Sequence, residues 1–301
     1  MIDLVNQPCM LCASKGMQFV NKLRDDETHF AVECLNCGHI QIAPLPTIDE
    51  DNEYYQKNEM SRRLIPKSQM DDRQMMLKYE IWADDQCKMI TNIFPNKDRG
   101  ILEIGSGYGW FVYKMRQAGY CVDGIELSDE KRQMAAQYLG INLLPYNLLV
   151  DSLPKEMTAS YNIVCLFEVL EHIVNPLFFI EQAMSLLKPG GQLVIEVPND
   201  DDFLKKHSKE YADFTYFRPH LSYFKSKTLT CLLDKAGLTD LQITGKQVYS
   251  LENAIHWLRT GRPFLEKSQI EMPKGLEWIG EEYKRTLERQ LISDCLLAIG
   301  T

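Results

Sequence analysis

The chain has 301 residues, 45% hydrophobic and 25% charged, enough for one large domain and a small one. Its 33 Lys and Arg stand against 42 Asp and Glu, a formal net charge of −9, and no basic stripe is visible, which disfavours a nucleic-acid partner. No apolar run reaches the roughly 18 residues of a membrane span. The first nine residues lack the basic and apolar regions of a signal peptide, so the expected location is the cytoplasm, with the nine cysteines reduced or bound to metal.

The first motif is Cys9-x-x-Cys12, followed after 21 residues by Cys34-x-x-Cys37. Two such knuckles predict a zinc ribbon over residues 1–50, with Cys9, Cys12, Cys34 and Cys37 closing a tetrahedral structural site. Two disulfides or four buried thiols are the alternatives. Residues 17–20 and 29–33 alternate like two short strands. His29 and His39 read as bystanders, because four thiolates already fill the shell. Residues 51–94 read as linker and capping helices, with Tyr54 and Tyr55 at the module's exit and an amphipathic helix over 77–94.

A third segment, 95–301, carries an alternation of strands and helices. Ile101–Ile104 reads as a buried parallel strand interrupted by Glu103. It runs into Gly105-Ser106-Gly107-Tyr108-Gly109 and then a helical pattern from Trp110. A glycine-rich turn with a helix N-terminus behind it lets a ligand approach the backbone closely. A dinucleotide fingerprint needs a third glycine where Trp110 stands. The next strand, 121–125, ends at Glu126, 21 residues past Gly105, where a carboxylate can hold both hydroxyls of a ribose. A nucleotide-like cofactor is therefore expected, with an NAD-type domain or a plain structural turn as alternatives.

Further strands are predicted over 141–144, 161–166, 192–197 and 238–248, and a last antiparallel one over 295–299. The fold expected is α/β: a doubly wound, mostly parallel, seven-stranded Rossmann-like sheet. Residues 250–290 interrupt it before the last strand. This helical insertion, with Trp278, Tyr283 and the trio Trp257, Arg259 and Arg262, suited to stacking on a base and to phosphate contact, reads as a substrate lid or a homodimer contact.

The candidate chemistry follows the fourth strand. Glu168, Glu171 and His172 are spaced i, i+3, i+4, which one helical turn would aim the same way. His220 follows the fifth strand within Arg218–Phe224. Such a set can form a general base with its orienting acid or hold Mg²⁺ or Mn²⁺; a purely structural role is the third reading.

With these residues in view, residues 80–301 resemble the class I S-adenosylmethionine-dependent methyltransferases. The glycine motif, Glu126, the 161–172 segment and the Lys188-Pro189-Gly190-Gly191 turn occur in that family's order. The resemblance implies that Glu103, Gly105, Ser106, Gly107, Gly109, Glu126, Leu127 and Phe167 contact S-adenosylmethionine, with Asn147 and Leu148 at the adenine. The cysteine module and its proline-rich exit resemble bacterial sugar and natural-product methyltransferases. That implies a small-molecule acceptor such as a nucleotide-linked sugar, with O-methylation favoured and His172 as base. Glu168, Glu171, His172 and His220 together are also similar to the metal site of small-RNA 2′-O-methyltransferases and of quinone-biosynthesis O-methyltransferases. A metal-assisted enzyme acting on a catechol-like ring or an RNA 3′ end is the rival within the class. A non-catalytic zinc scaffold that only binds a partner is the rival outside it.

Overall fold

A computed structural model describes residues 7–56, 72–263 and 273–301. The strands are β1 (Met17–Lys22), β2 (Phe30–Cys34), β3 (Ile40–Ala43), β4 (Gly100–Ile104), β5 (Cys121–Ile125), β6 (Tyr161–Phe167), β7 (Leu187–Pro198), β8 (Ser222–Tyr223), β9 (Gln242–Lys246) and β10 (Cys295–Gly300). They form a six-stranded sheet in the order β5-β4-β6-β7-β10-β9 and a four-stranded sheet in the order β1-β2-β3-β8.

The larger sheet has the doubly wound pattern expected. β4 pairs in parallel with β5 and β6, and β10 runs antiparallel to β9. Its central strands are almost wholly apolar: Ile101, Leu102, Ile163, Val164, Leu166, Val194 and Ile195 have no exposed surface. Such runs belong to strands covered on both faces. The predicted strand over 141–144 does not form as a ladder. Only Leu144 pairs, donating to the Gly124 carbonyl and accepting from the Glu126 N–H, in a single parallel bridge to Ile125. Pro145 follows and has no N–H to continue the pairing. Six strands therefore stand where seven are predicted.

The chain divides into two compact units. One comprises Pro46–Val169, Phe178–Val194 and Thr301. It holds β4–β6, the glycine turn and the helix Glu80–Ile93, whose Glu80 and Asp84 both bind Lys114. The other comprises Met1–Leu45, Leu170–Leu177 and Ile195–Gly300. In it the cysteine module's strand β3 pairs antiparallel with β8, Ile40 opposite Tyr223 and Gln41 opposite Ser222. Ala31, Ile40 and Ile42 of the module share one apolar cluster with Tyr216, Leu221 and Tyr223. The insertion is helical over Leu251–Thr260 and Glu277–Arg289. Residues 57–71, within the predicted linker, lie outside the described residues, as do 264–272 of the insertion and the side chains of Tyr54 and Tyr55. No helix among the described residues is long and apolar enough to cross a membrane.

Candidate active site

The glycine turn is built for close approach. A Cβ at Gly105 would lie 2.4 Å from Val169 Cγ2, and one at Gly109 2.5 Å from Ile141 Cδ1, so both glycines are needed for packing. Gly107 differs: its φ is +54° and nothing lies within 4 Å of the space a Cβ would fill. Its N–H donates to Glu126 Oε2 at 2.8 Å, and the Ser128 N–H donates to Glu126 Oε1 at 2.8 Å. Ser128 also caps the helix Asp129–Met134 through its side chain. The predicted ribose carboxylate is thus held beside the open glycine, and Leu127 lies between Glu126 and that cap.

Glu103 is the second acid of this unit. It is 4% exposed, its Oε2 has no hydrogen-bond partner, and burial, with the Glu126 charge adding to it, pushes its carboxyl up to about 8. A buried carboxylate oxygen without a partner is costly unless a cationic or proton-donating ligand meets it. S-Adenosylmethionine carries an ammonium and ribose hydroxyls, so Glu103, Gly107 and Glu126 fit it. Ser106 donates to the Glu103 carbonyl at 3.1 Å and so tightens the turn. Asn147 accepts the Leu149 N–H at 2.9 Å, Leu148 is buried, and the Phe167 ring packs 5.2 Å from Phe111. Trp110, whose indole N–H donates to the Met76 carbonyl, anchors the helix Asp72–Lys78 in the same unit.

In the other unit, Glu171, His172 and His220 come together. Leu170–His172 is a short 3₁₀ turn. His172 Nδ1 lies 2.8 Å from the Pro219 carbonyl. A carbonyl can only accept, so Nδ1 carries a proton, and in the neutral ring Nε2 is the nitrogen without one. The His172 and His220 rings meet edge to face with centroids 4.9 Å apart. Glu171 Oε1 lies 3.6 Å from His172 Nε2 and 3.9 Å from His220 Nε2. Both separations exceed a hydrogen bond, and neither Glu171 oxygen accepts one, although the residue is only 1% exposed. Burial first, then the charge of Glu196, pushes Glu171 up to about 8. Burial first, then the repulsion that a protonated His172, Lys205 and Arg24 would exert on a cationic ring, hold His220 well below the usual imidazole value.

The single helical turn expected for Glu168, Glu171 and His172 is not present. Glu168 has φ +55°, a left-handed conformation rare for a residue with a side chain, so it lies outside the turn that begins at Leu170. The Pro219 carbonyl is the functional group that sequence reading misses. A backbone oxygen has no residue signature, and only the nearby histidines could have pointed to this loop.

The four module cysteines converge as their spacing predicts. Cys9 and Cys37 Sγ are 3.6 Å apart, as are Cys12 and Cys34, and all four sulfurs lie within 4.8 Å of one another. A tetrahedral zinc with bonds of about 2.3 Å has sulfur–sulfur edges of about 3.8 Å. A disulfide would need about 2.05 Å, so the cluster fits a metal and not two cross-links. His39 stays out of it, fully buried with Nε2 3.3 Å from Ser222 Oγ.

The insertion differs from its predicted use at one residue. Trp257 is 4% exposed and packs on Tyr211 and Phe214 in a cluster with Leu204 and Ala254, so it is a core side chain. Arg259 and Arg262 are exposed.

Comparison with known proteins bears on this arrangement. Residues 79–243 match the family model described as a methyltransferase domain. A ubiquinone biosynthesis O-methyltransferase from Vibrio parahaemolyticus is 26% identical over 156 residues, 48% of this chain and 66% of that protein. One from Coxiella burnetii is 24% identical over 227 residues, 63% of this chain and 92% of that protein. Among solved structures, a SAM-dependent methyltransferase from Archaeoglobus fulgidus superposes with a TM-score of 0.50 at 16% identity, covering 74% of this chain and 97% of that one. A SAM-dependent methyltransferase from Thermotoga maritima also gives 0.50, at 15% identity, covering 85% of this chain and 99% of that one.

Proposed function

The chain belongs to the methyltransferase-domain family, and from that premise we propose that it transfers the methyl group of S-adenosylmethionine to a hydroxyl of a small molecule. S-Adenosylmethionine supplies an electrophilic methyl on a sulfonium. Gly107, Glu103 and Glu126 bind and orient it: the open glycine admits the backbone approach, the orphan carboxylate meets the ammonium, and Glu126 meets the ribose. Asn147, Leu148 and Phe167 complete the cofactor contacts.

His172 takes the acceptor's proton. In the neutral ring Nε2 is unprotonated while Nδ1 donates to Pro219, so Nε2 would take the hydroxyl proton as the oxygen gains the methyl group, the methyl–sulfur bond breaks and the neutral thioether leaves. The Glu171 carboxylate, with Oε1 3.6 Å from Nε2, then balances the resulting positive charge. The observation that carries this reading is the convergence of two imidazoles on one buried carboxylate that accepts no hydrogen bond. The names of the two relatives support oxygen as the nucleophile. A catechol-like acceptor fits better than a nucleotide-linked sugar, because Trp257, expected to stack on a base, is consumed in the core. The test is transfer of label from S-adenosylmethionine to a panel of catechols and nucleotide-linked sugars, with His172→Ala as control. A variant that still turns over at the wild-type rate contradicts the assignment.

A second reading is favoured by the spacing of the trio. Donor atoms from Glu171, His172 and His220 lie within 4.8 Å of one another. The pinned Nδ1 of His172 is the outer-shell contact that metal-bound histidines make. The trio would then hold a divalent cation that lowers the hydroxyl's pKa, and a chelator would abolish turnover. The cysteine module, on this account, holds a structural zinc.

A further inference from the structure

Both histidines depend on the segment from Asp213 to Tyr223, and the cysteine module grips that segment at every few residues. Asn21 Nδ2 donates to Asp213 Oδ1 at 2.9 Å. The Arg24 N–H donates to the Tyr216 carbonyl at 2.9 Å, and its guanidinium carbon lies 3.8 Å from the Phe214 ring centre and 4.7 Å from that of Phe217. Asp25 Oδ1 accepts the Arg218 N–H at 2.8 Å. Strand β3 continues the grip: the Ile42 N–H donates to the Leu221 carbonyl at 3.0 Å, and Gln41 and Ile40 pair with Ser222 and Tyr223.

The same segment carries the trio. Pro219 accepts from His172 Nδ1 at 2.8 Å, and the Leu221 N–H donates to the Glu171 carbonyl at 2.8 Å. The Phe217 ring lies 4.2 Å from that of His220. Tyr223 Oη closes the loop by accepting the Phe217 N–H and donating to its carbonyl, both at 3.0 Å. The register of a loop held along its length fixes where its carbonyls point, and here one carbonyl selects a histidine tautomer.

We propose that Asn21, Asp25 and strand β3 are positioning residues for His172 and His220, so that the folded cysteine module sets the acceptor-side chemistry and leaves the cofactor contacts alone. The inference rests on the reading that the trio serves the acceptor. Metal binding and folding are coupled in small cysteine modules. The integrity of the Cys9, Cys12, Cys34 and Cys37 cluster would therefore be read out at the histidine pair. A ribbon that served only as a separate cap would need neither the Asp25 contact nor the β3–β8 pairing.

The test uses the full chain with Asn21 and Asp25 both changed to Ala, and separately Asp25→Asn, which keeps an acceptor oxygen. Nitrogen-detected NMR reads the His172 tautomer, hydrogen exchange reads the amides of residues 218–223, and calorimetry reads S-adenosylmethionine affinity. The double variant should lose the Nδ1–H signature and exchange those amides about tenfold faster, as expected for one or two lost hydrogen bonds. Cofactor affinity should be unchanged, and Asp25→Asn should restore the wild-type spectrum. If the tautomer and exchange stay at wild-type values, or if cofactor affinity falls as well, the positioning role is overturned. If both signatures change while transfer to a catechol probe continues at the wild-type rate, positioning stands and it is the assignment of the trio to the acceptor that fails.

Discussion

Glu103→Gln separates what the protein needs from what its ligand needs. The carboxyl is fully buried with Oε2 unpartnered, and burial raises it from an ordinary 4.5 to about 8. Because the folded value lies above the unfolded one, the folded chain holds a proton that the unfolded chain releases. That contribution is complete below about 4.5 and is lost as pH rises through about 8. At about 1.4 kcal/mol per unit, the 2.5 units between 4.5 and pH 7 set an upper figure of about 3–4 kcal/mol of stability lost relative to acid pH. The glutamine has the same shape and no such loss. Melting curves from pH 5 to 9 should therefore show the variant gaining on wild type as pH rises, with the two alike near pH 5 once the constant difference is removed. The same substitution should weaken S-adenosylmethionine binding, since the carboxylate proposed to meet the ammonium is gone. Wild-type binding at pH 7 should also release most of one proton, which calorimetry in buffers of different ionisation heat measures directly. Parallel melting profiles, or wild-type cofactor affinity in the variant, would refute the reasoning.

Three further outcomes follow from the same geometry. Glu126→Ala removes the acceptor of two backbone N–H groups and the proposed ribose contact, so calorimetry should show at least about a tenfold loss of cofactor affinity. Purified protein should contain about one zinc per chain by elemental analysis. Cys9→Ser should lose that zinc together with protection of the β1–β3 amides, and metal-free protein with an ordered module would count against the site. His172→Ala should lower turnover by about 10²–10⁴-fold while calorimetry finds cofactor binding intact. If EDTA alone abolishes turnover and Mg²⁺ or Mn²⁺ restores it, the histidine is a ligand and the proton-transfer reading gives way to the cation reading.

Local chemistry made the glycine turn and its neighbouring acid legible. A strand, three glycines at alternate positions and an acid at the next strand's end are all decided within about twenty-five residues, and Gly105, Gly107, Gly109 and Glu126 stand where that pattern places them. The four cysteines were equally legible from spacing alone. The failures are non-local or turn on backbone conformation. Pro145 ended a ladder that the apolar run 141–144 suggested. Glu168 left the helical turn because its φ is positive, which no i, i+3 count can reveal. Trp257 read as a ligand platform because an aromatic in an insertion carries no sign of Tyr211 and Phe214 waiting to cover it. The pairing of β3 with a two-residue strand some 180 positions later has no sequence signal, yet it brings the cysteine module to the loop that holds His172.

The central claim is methyl transfer from S-adenosylmethionine to a small-molecule hydroxyl with His172 accepting the proton. Mass spectrometry of a panel of catechols and nucleotide-linked sugars incubated with trideuteromethyl-labelled S-adenosylmethionine tests it most directly. The account predicts one labelled methyl on oxygen, formed by wild type and nearly lost in His172→Ala. Label on nitrogen or carbon, or a protein that binds the cofactor and transfers nothing to any hydroxyl, would contradict it.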